Sequence, residues 1–202
     1  MSLMEPRVVA VCRDATHRFS KVSRAAITLV EGMGVAGDAH AGTLVQHRSR
    51  VRRDPNQPNL RQVHLIHAAL LDEARGLGHD VGPGSLGENL LTDGLDLLAL
   101  PTDTRLGIGD AVLRVTGLRN PCRQINEYSP GLLKVVVARV DGVASTSDVT
   151  LGATGGAQSV DGVGILRKAG VMAVVERRGE VRPDMPIEVE LPDPPHRPLA
   201  PV

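Results

Sequence analysis

The sequence has no tryptophan, and Phe19 and Tyr128 are its only phenylalanine and tyrosine. Its core must therefore be aliphatic, and the aromatic platforms on which single-stranded nucleic acids stack are missing. It has no charge to spare either: 23 basic residues balance 23 acidic ones, so the phosphate neutralisation that drives nucleic-acid binding has little support. The densest basic stretch, Arg48 to Arg53, reads as a solvated loop ahead of Pro55, although a local anion site there stays open. No apolar run approaches the roughly 18 residues of a membrane span, and the start lacks a basic segment followed by a hydrophobic one. The two cysteines, Cys12 and Cys122, are far apart and belong to no CxxC or Cys/His spacing, so neither a disulfide framework nor a structural zinc knuckle is indicated. The expectation is a cytoplasmic protein that engages neither nucleic acid nor membrane.

What the chain has is 202 residues with 42% apolar content, enough for one domain with tails. Residues 1–6 read as a leader, 7–191 as the domain and 192–202 as a proline-rich, extended tail that joins neither sheet nor helix. Short β-like segments between glycine, proline and aspartate turns dominate: Arg7 to Arg13, Ala26 to Val30, Gln62 to Ile66, Ala111 to Thr116, Val171 to Glu176 and Ile187 to Leu191. The fold class expected is mostly β with a few helices. One helix is predicted from Ala68 to Leu77, with Leu70, Ala74 and Leu77 on its apolar stripe and Gly78 closing it. A second should follow Ser129 as N-cap, with Pro130 at its first position and Leu132, Leu133, Val136 and Val140 facing inward. Asp141 to Gly162 is rich in Gly, Ser, Thr and Asp without a sustained period, the pattern of a long mobile loop.

The chemistry centres on Cys122, in Leu118-Arg119-Asn120-Pro121-Cys122-Arg123-Gln124-Ile125. A neighbouring guanidinium favours thiolate over thiol, which makes a cysteine both more nucleophilic and a better soft-metal ligand. The competing expectation is a small buried hydrophobe, since free cysteine is among the most buried residue types. Gly82-Pro83-Gly84-Ser85-Leu86-Gly87 matches the GxGxxG dinucleotide fingerprint in letters only, because the strand before it and the long helix after it are missing. The acid and imidazole groups that could serve Cys122 are Asp38, His40, Glu88, His64 and His67. His64 and His67 are three apart across a strand-to-helix junction, a poor spacing for a metal pair, and Asp38 could simply bond its own turn.

In order, these pieces resemble the MOSC domain, named after the C-terminal domain of molybdenum cofactor sulfurase. The likeness lies in Gly34-Val35-Ala36-Gly37-Asp38-Ala39-His40-Ala41-Gly42, Arg61-Gln62-Val63-His64-Leu65-Ile66 and Gly84-Ser85-Leu86-Gly87-Glu88-Asn89-Leu90. Leu106-Gly107-Ile108-Gly109-Asp110 and Pro121-Cys122 complete the set, which spans Arg7 to Leu191. The resemblance implies a β-barrel fold related to the barrel domain of pyruvate kinase, in a stand-alone MOSC protein without the aminotransferase-like domain of full sulfurases. Any association with pyridoxal phosphate would be inherited from those larger proteins, since no lysine here sits in a suitable context.

The resemblance further implies work with sulfur and molybdenum. Cys122 would ligate molybdenum of a bound molybdopterin, the molybdenum cofactor, or carry sulfur as a persulfide; a thiolate suits both roles. Arg61, Arg119 and Arg123, with Asn89 and Asn120, would hold the cofactor, and Asp38, His40 and Glu88 would tune it or move protons. A reductase of N-hydroxylated substrates would need an electron-transfer protein as partner, and a sulfur carrier a cysteine desulfurase. The alternatives are a non-catalytic module whose pocket binds a small anion or a partner and whose cysteine is structural, and a hydrolytic zinc site from His40, His64 and Cys122.

Overall fold

The computed structural model describes residues 5–46, 51, 52, 54–141, 157–160 and 163–202. Its strands are β1 (Arg7–Arg13), β2 (Val22–Arg24), β3 (Ile27–Val30), β4 (Gly34–Val35), β5 (Val63–His67), β6 (Leu90–Asp93) and β7 (Arg105–Ile108). They continue as β8 (Ala111–Leu118), β9 (Val137–Asp141), β10 (Ala157–Val160), β11 (Val163–Arg167), β12 (Val171–Arg177), β13 (Gly179–Val181) and β14 (Glu188–Glu190). Short helices accompany them: α1 (Ala68–Gly76), α2 (Gln124–Tyr128) and α3 (Leu132–Val136). No helix among the described residues is long and apolar enough to cross a membrane.

A curled sheet runs in the order β14-β7-β8-β12-β5-β6-β1-β2, with two three-stranded sheets, β10-β11-β9 and β13-β3-β4, beside it. Among the described residues its pairings are antiparallel except β5 with β6, which α1 joins as a crossover. Period-2 alternation places successive residues on opposite faces and splits the core in two. Leu65 and Leu90 enter a cluster with Val8, Leu113, Val115 and Ala173 on one face, while Ile66 and Leu91 turn to Leu70, Leu71, Ile125 and Leu132 beneath the helices.

The first helix lies where the sequence places it, with Leu77 as its C-cap and Gly78 at φ 89°, while the later ones depart from expectation. His67 caps α1 by accepting from the Ala69 N–H at 3.0 Å, so this histidine works for the backbone. The later helix starts past Gly131, which stands at φ 90°, rather than at Pro130. It stops at Val136 because the β-branched run continues as β9, taking Val140 into a strand. α2 went unpredicted: five residues are too few for a periodic signal. The composition of Asp141 to Gly162 hid a strand, β10, which pairs with β11; residues 142–156, 161 and 162 lie outside the described residues.

The C-terminal segment corrects another expectation, for it docks on the sheet. The Leu118 N–H donates to the Ala200 carbonyl at 2.8 Å, and the Val202 N–H returns a bond to the Leu118 carbonyl at 3.2 Å. Leu199 is buried in the same cluster as Leu65 and Leu90. Proline limits which amides can donate, but Ala200 need only accept here, and Leu199 and Val202 keep the contacts proline cannot make. Gly117 permits the approach, since a Cβ there would stand 2.3 Å from the Ala200 carbonyl oxygen. Leu199→Ala should therefore lower the unfolding free energy in urea by about 2 kcal/mol or more, as core truncations do. A loose tail would give a change within about 0.5 kcal/mol.

Candidate functional site

β8 ends at Leu118, and the chain then delivers Arg119, Asn120, Pro121 and Cys122 to one end of the sheet. A cleft of about 620 Å³ opens there. Its lining includes Phe19, Lys21, His40, Arg61, Asn89 and Asn120, together with Arg119 and Cys122. Residues from distant stretches of sequence thus share one wall.

Asp38 anchors the turn behind that wall. Its Oδ2 accepts from Lys21 Nζ at 2.7 Å and from Asn89 Nδ2 at 3.1 Å, and its Oδ1 accepts from the His40 backbone N–H at 2.9 Å with His40 Nδ1 3.3 Å away. The Lys21 and Asp38 side chains are 5% and 1% exposed. Burial alone would push the Asp38 carboxyl up, yet hydrogen bonds from His40 and the Lys21 ammonium outweigh it and hold it well below the ordinary carboxylate range. Lys21 is less well compensated, and burial draws its pKa below the usual lysine value despite Asp38 and Glu88. Asn89 spends its amide on the fold: Nδ2 also donates to the Cys12 carbonyl at 3.1 Å, and Oδ1 accepts from the His64 N–H at 3.2 Å.

Glu88 does not face the cleft, contrary to expectation. It is fully buried, and its carboxylate turns back to accept from the backbone N–H groups of Gly84 and, at 3.1 Å, Leu86. Burial raises its pKa, and these bonds together with the Arg119 charge only partly counter the rise. The glycine-rich stretch is thus a carboxylate-holding turn. Gly84 must stay glycine, because it sits at φ 86° and a Cβ would lie 2.1 Å from the Lys21 carbonyl oxygen.

Arg119 carries the clearest functional signal. It is 8% exposed and lines the cleft, yet its Nη1 has no hydrogen-bond partner among the described residues. Phe19 lies under the guanidinium at 5.9 Å from its ring centre, and Phe19 in turn meets Tyr128 at 5.6 Å. Burial lowers the Arg119 pKa, with Cys122 and Glu88 offsetting part of the drop. A buried guanidinium nitrogen without a hydrogen-bond partner costs stability.

The two thiols differ sharply. Cys12 is fully buried beside Ser23, and burial pushes it up to about 11. Cys122 is half-buried on the cleft wall, with its Sγ 3.6 Å from Gln124 Oε1. Arg61 lines the cleft and donates through Nη1 to the Val202 carbonyl at 2.8 Å. Arg123 departs from expectation: its side chain is 90% exposed and pairs with Glu127 one helical turn on, at 3.2 Å, outside the cleft lining. His64 presents its Nε2 to the Ala169 carbonyl at 2.7 Å, and burial, reinforced by the Arg119 charge, holds its pKa well below the ordinary value. Among the described residues no three His, Cys, Asp or Glu side chains converge to hold a metal, which leaves a zinc site from His40, His64 and Cys122 without support.

Sequence reasoning missed Lys21, Phe19, Gln57 and Asn59, all of which line the cleft. The one available signal was Phe19, a lone aromatic in a polar stretch; a lysine in such a stretch reads as surface.

Lys21→Met should cost about 3–5 kcal/mol in urea unfolding, because it strands the Asp38 charge. Since Asp38 is depressed in the folded state, its contribution is complete above its unfolded pKa, near 3.8, and is lost as pH falls through the folded value, so Asp38→Asn should flatten the acid limb of stability against pH. Arg119→Met should instead stabilise the ligand-free protein, by about 1 kcal/mol or more, through removal of an unsatisfied buried donor. A drop in melting temperature would show that Arg119 is there for structure.

Comparison with known proteins agrees with this fold. The YuaD protein from Bacillus subtilis superposes with a TM-score of 0.68 at 21% identity, over 94% of this chain and 98% of that one. YiiM from Escherichia coli gives 0.53 at 19% identity, over 95% of this chain and 73% of that one. At such identities the likeness speaks for the fold alone. No curated protein matches the sequence. Residues 52–188, more than half of the chain and including Glu88, Arg119 and Cys122, match the MOSC domain, and the chain belongs to the MOSC domain family.

Proposed function

We propose that the cleft binds the molybdenum cofactor, with Cys122 as its thiolate ligand, in a reductase of N-hydroxylated compounds that draws electrons from a partner protein. The family is associated with this cofactor. The observation that carries the reading is Arg119: a buried guanidinium whose Nη1 has no partner among the described residues shares the cleft with a half-buried cysteine.

The residues present suit the group. A cleft of about 620 Å³ lies within the usual size of a cofactor site. Arg119, with Arg61 and Asn120 on the same lining, would hold the oxygens of the cofactor's phosphate or pterin by charge-assisted hydrogen bonds. A thiolate is the soft donor that molybdenum accepts, and the bound metal would supply the two-electron redox chemistry of the reduction. Phe19 and Met172 give part of the lining an apolar character that limits water. The accessibility of Cys122 favours a second reading, in which the same sulfur carries a persulfide loaded by a cysteine desulfurase.

Protein purified from a host that makes the cofactor should carry molybdenum and pterin in stoichiometric amounts. Cys122→Ala should lose the metal, and Arg119→Met should retain less than about a tenth of the wild-type pterin, the loss expected for a buried charged hydrogen bond. Absent metal together with a persulfide on Cys122 after desulfurase treatment would favour the sulfur carrier. Absence of both would make the protein a non-catalytic binding module.

A further inference from the structure

The two oxygens of Asp38 face different partners, each of which lines the cleft. Oδ2 holds Lys21 Nζ at 2.7 Å, while Oδ1 lies 3.3 Å from His40 Nδ1 and accepts the His40 backbone N–H at 2.9 Å. The backbone bond fixes where the imidazole starts, and the carboxylate fixes how it turns. Asn59 Nδ2 pins the same residue by donating to the His40 carbonyl at 3.0 Å, and the His17 ring stands edge-on at 5.3 Å. The carboxylate stays ionised because the hydrogen bonds from His40 and the charge and hydrogen bond of Lys21 outweigh its burial, and Asn89 also donates to Oδ2. A buried cation, a carboxylate and a partly exposed imidazole are thus arranged so that Nδ1 is committed inward and Nε2 is the other ring nitrogen. In nucleophilic hydrolases a carboxylate orients a histidine in this way and sets its tautomer.

We propose that Lys21, Asp38 and His40 form a proton-handling unit of the cleft, in which His40 is the catalytic acid and Asp38 and Lys21 are its positioning residues. The inference rests on the reductase reading above and assigns a role that reading leaves open. Reduction of an N-hydroxylated compound converts RNHOH, two electrons and two protons into RNH₂ and water. The N–O bond breaks, the electron pair comes from the electron-transfer partner, and His40, loaded from solvent as the imidazolium with Nδ1–H held toward Asp38, gives its Nε2 proton to the departing oxygen, which leaves as water while His40 is left neutral with its proton on Nδ1. The second proton reaches nitrogen from solvent, and solvent restores the proton on Nε2. His40 suits this exchange because its side chain is 30% exposed, whereas Lys21 and Asp38 are sealed in.

Two measurements test the unit. In the ligand-free full chain, at a pH where the ring is neutral, ¹⁵N spectra of histidine-labelled protein should show His40 carrying its single proton on Nδ1; a neutral ring protonated on Nε2 instead would overturn the proposal, whatever the protein binds. In the holoprotein, with N-phenylhydroxylamine as substrate and reduced methyl viologen as electron donor, His40→Ala should lower kcat about a hundredfold, the scale of general acid catalysis. Added imidazole should restore much of that loss, while the molybdenum and pterin content stays at the wild-type level. Failure of rescue, or loss of the metal from His40→Ala, would overturn the proposal by making His40 a structural or cofactor-holding residue. A wild type that holds molybdenum but reduces nothing would sink the reductase reading and the catalytic role together, leaving the tautomer to report on the geometry alone.

Discussion

The buried carboxylate of Asp38 is the joint on which this molecule's working end is assembled. It receives Lys21 from the segment before β2, His40 from its own turn and Asn89 from the entrance to β6. These three donors come from separate parts of the chain. A carboxylate out of water needs several donors to stay ionised, and each donor recruited brings with it a piece of the cleft. Asn89 extends the effect by bonding the Cys12 carbonyl and the His64 amide, which ties β1 and β5 to the same point.

Against this compensated centre Arg119 stands out as uncompensated. Lys21 has Asp38, and Glu88 has the amides of its own turn, but one nitrogen of the cleft-lining Arg119 meets no acceptor among the described residues. The fold accepts a destabilising group beside its accessible cysteine, a cost that binding sites often carry and that an occupant relieves. The two cysteines make the same contrast in another chemistry. Cys12 is buried and pushed up to about 11, which makes it inert, while Cys122 shares a cleft with Lys21, Arg61 and Arg119.

Much of the fold was legible because its strands follow simple alternation between strong turns. β1 has the expected bounds, and β8 and β12 each extend an expected segment by one or two residues. The C-terminal segment was misread because proline content says which amides cannot donate but not which carbonyls can accept. The cleft was legible at Cys122, Arg119, Asn120, His40 and Arg61, where residue type and resemblance coincided. Glu88 and Arg123 show the limit: spacing in sequence does not say whether a carboxylate turns toward a cavity or toward its own backbone, nor on which side of a helix start an arginine leaves. Lys21 could not be found from sequence at all, since its meaning comes only from a carboxylate in a different turn of the chain.

The central claim is that the Cys122 sulfur and the Arg119 guanidinium face one occupant, a molybdenum-bearing cofactor. X-ray absorption at the molybdenum edge, on protein purified from a host that makes the cofactor, tests it most directly. The account predicts a metal–sulfur contribution from the protein that disappears in Cys122→Ser while the remaining sulfur contributions persist. Identical spectra for the two proteins, or no molybdenum in either, would contradict it.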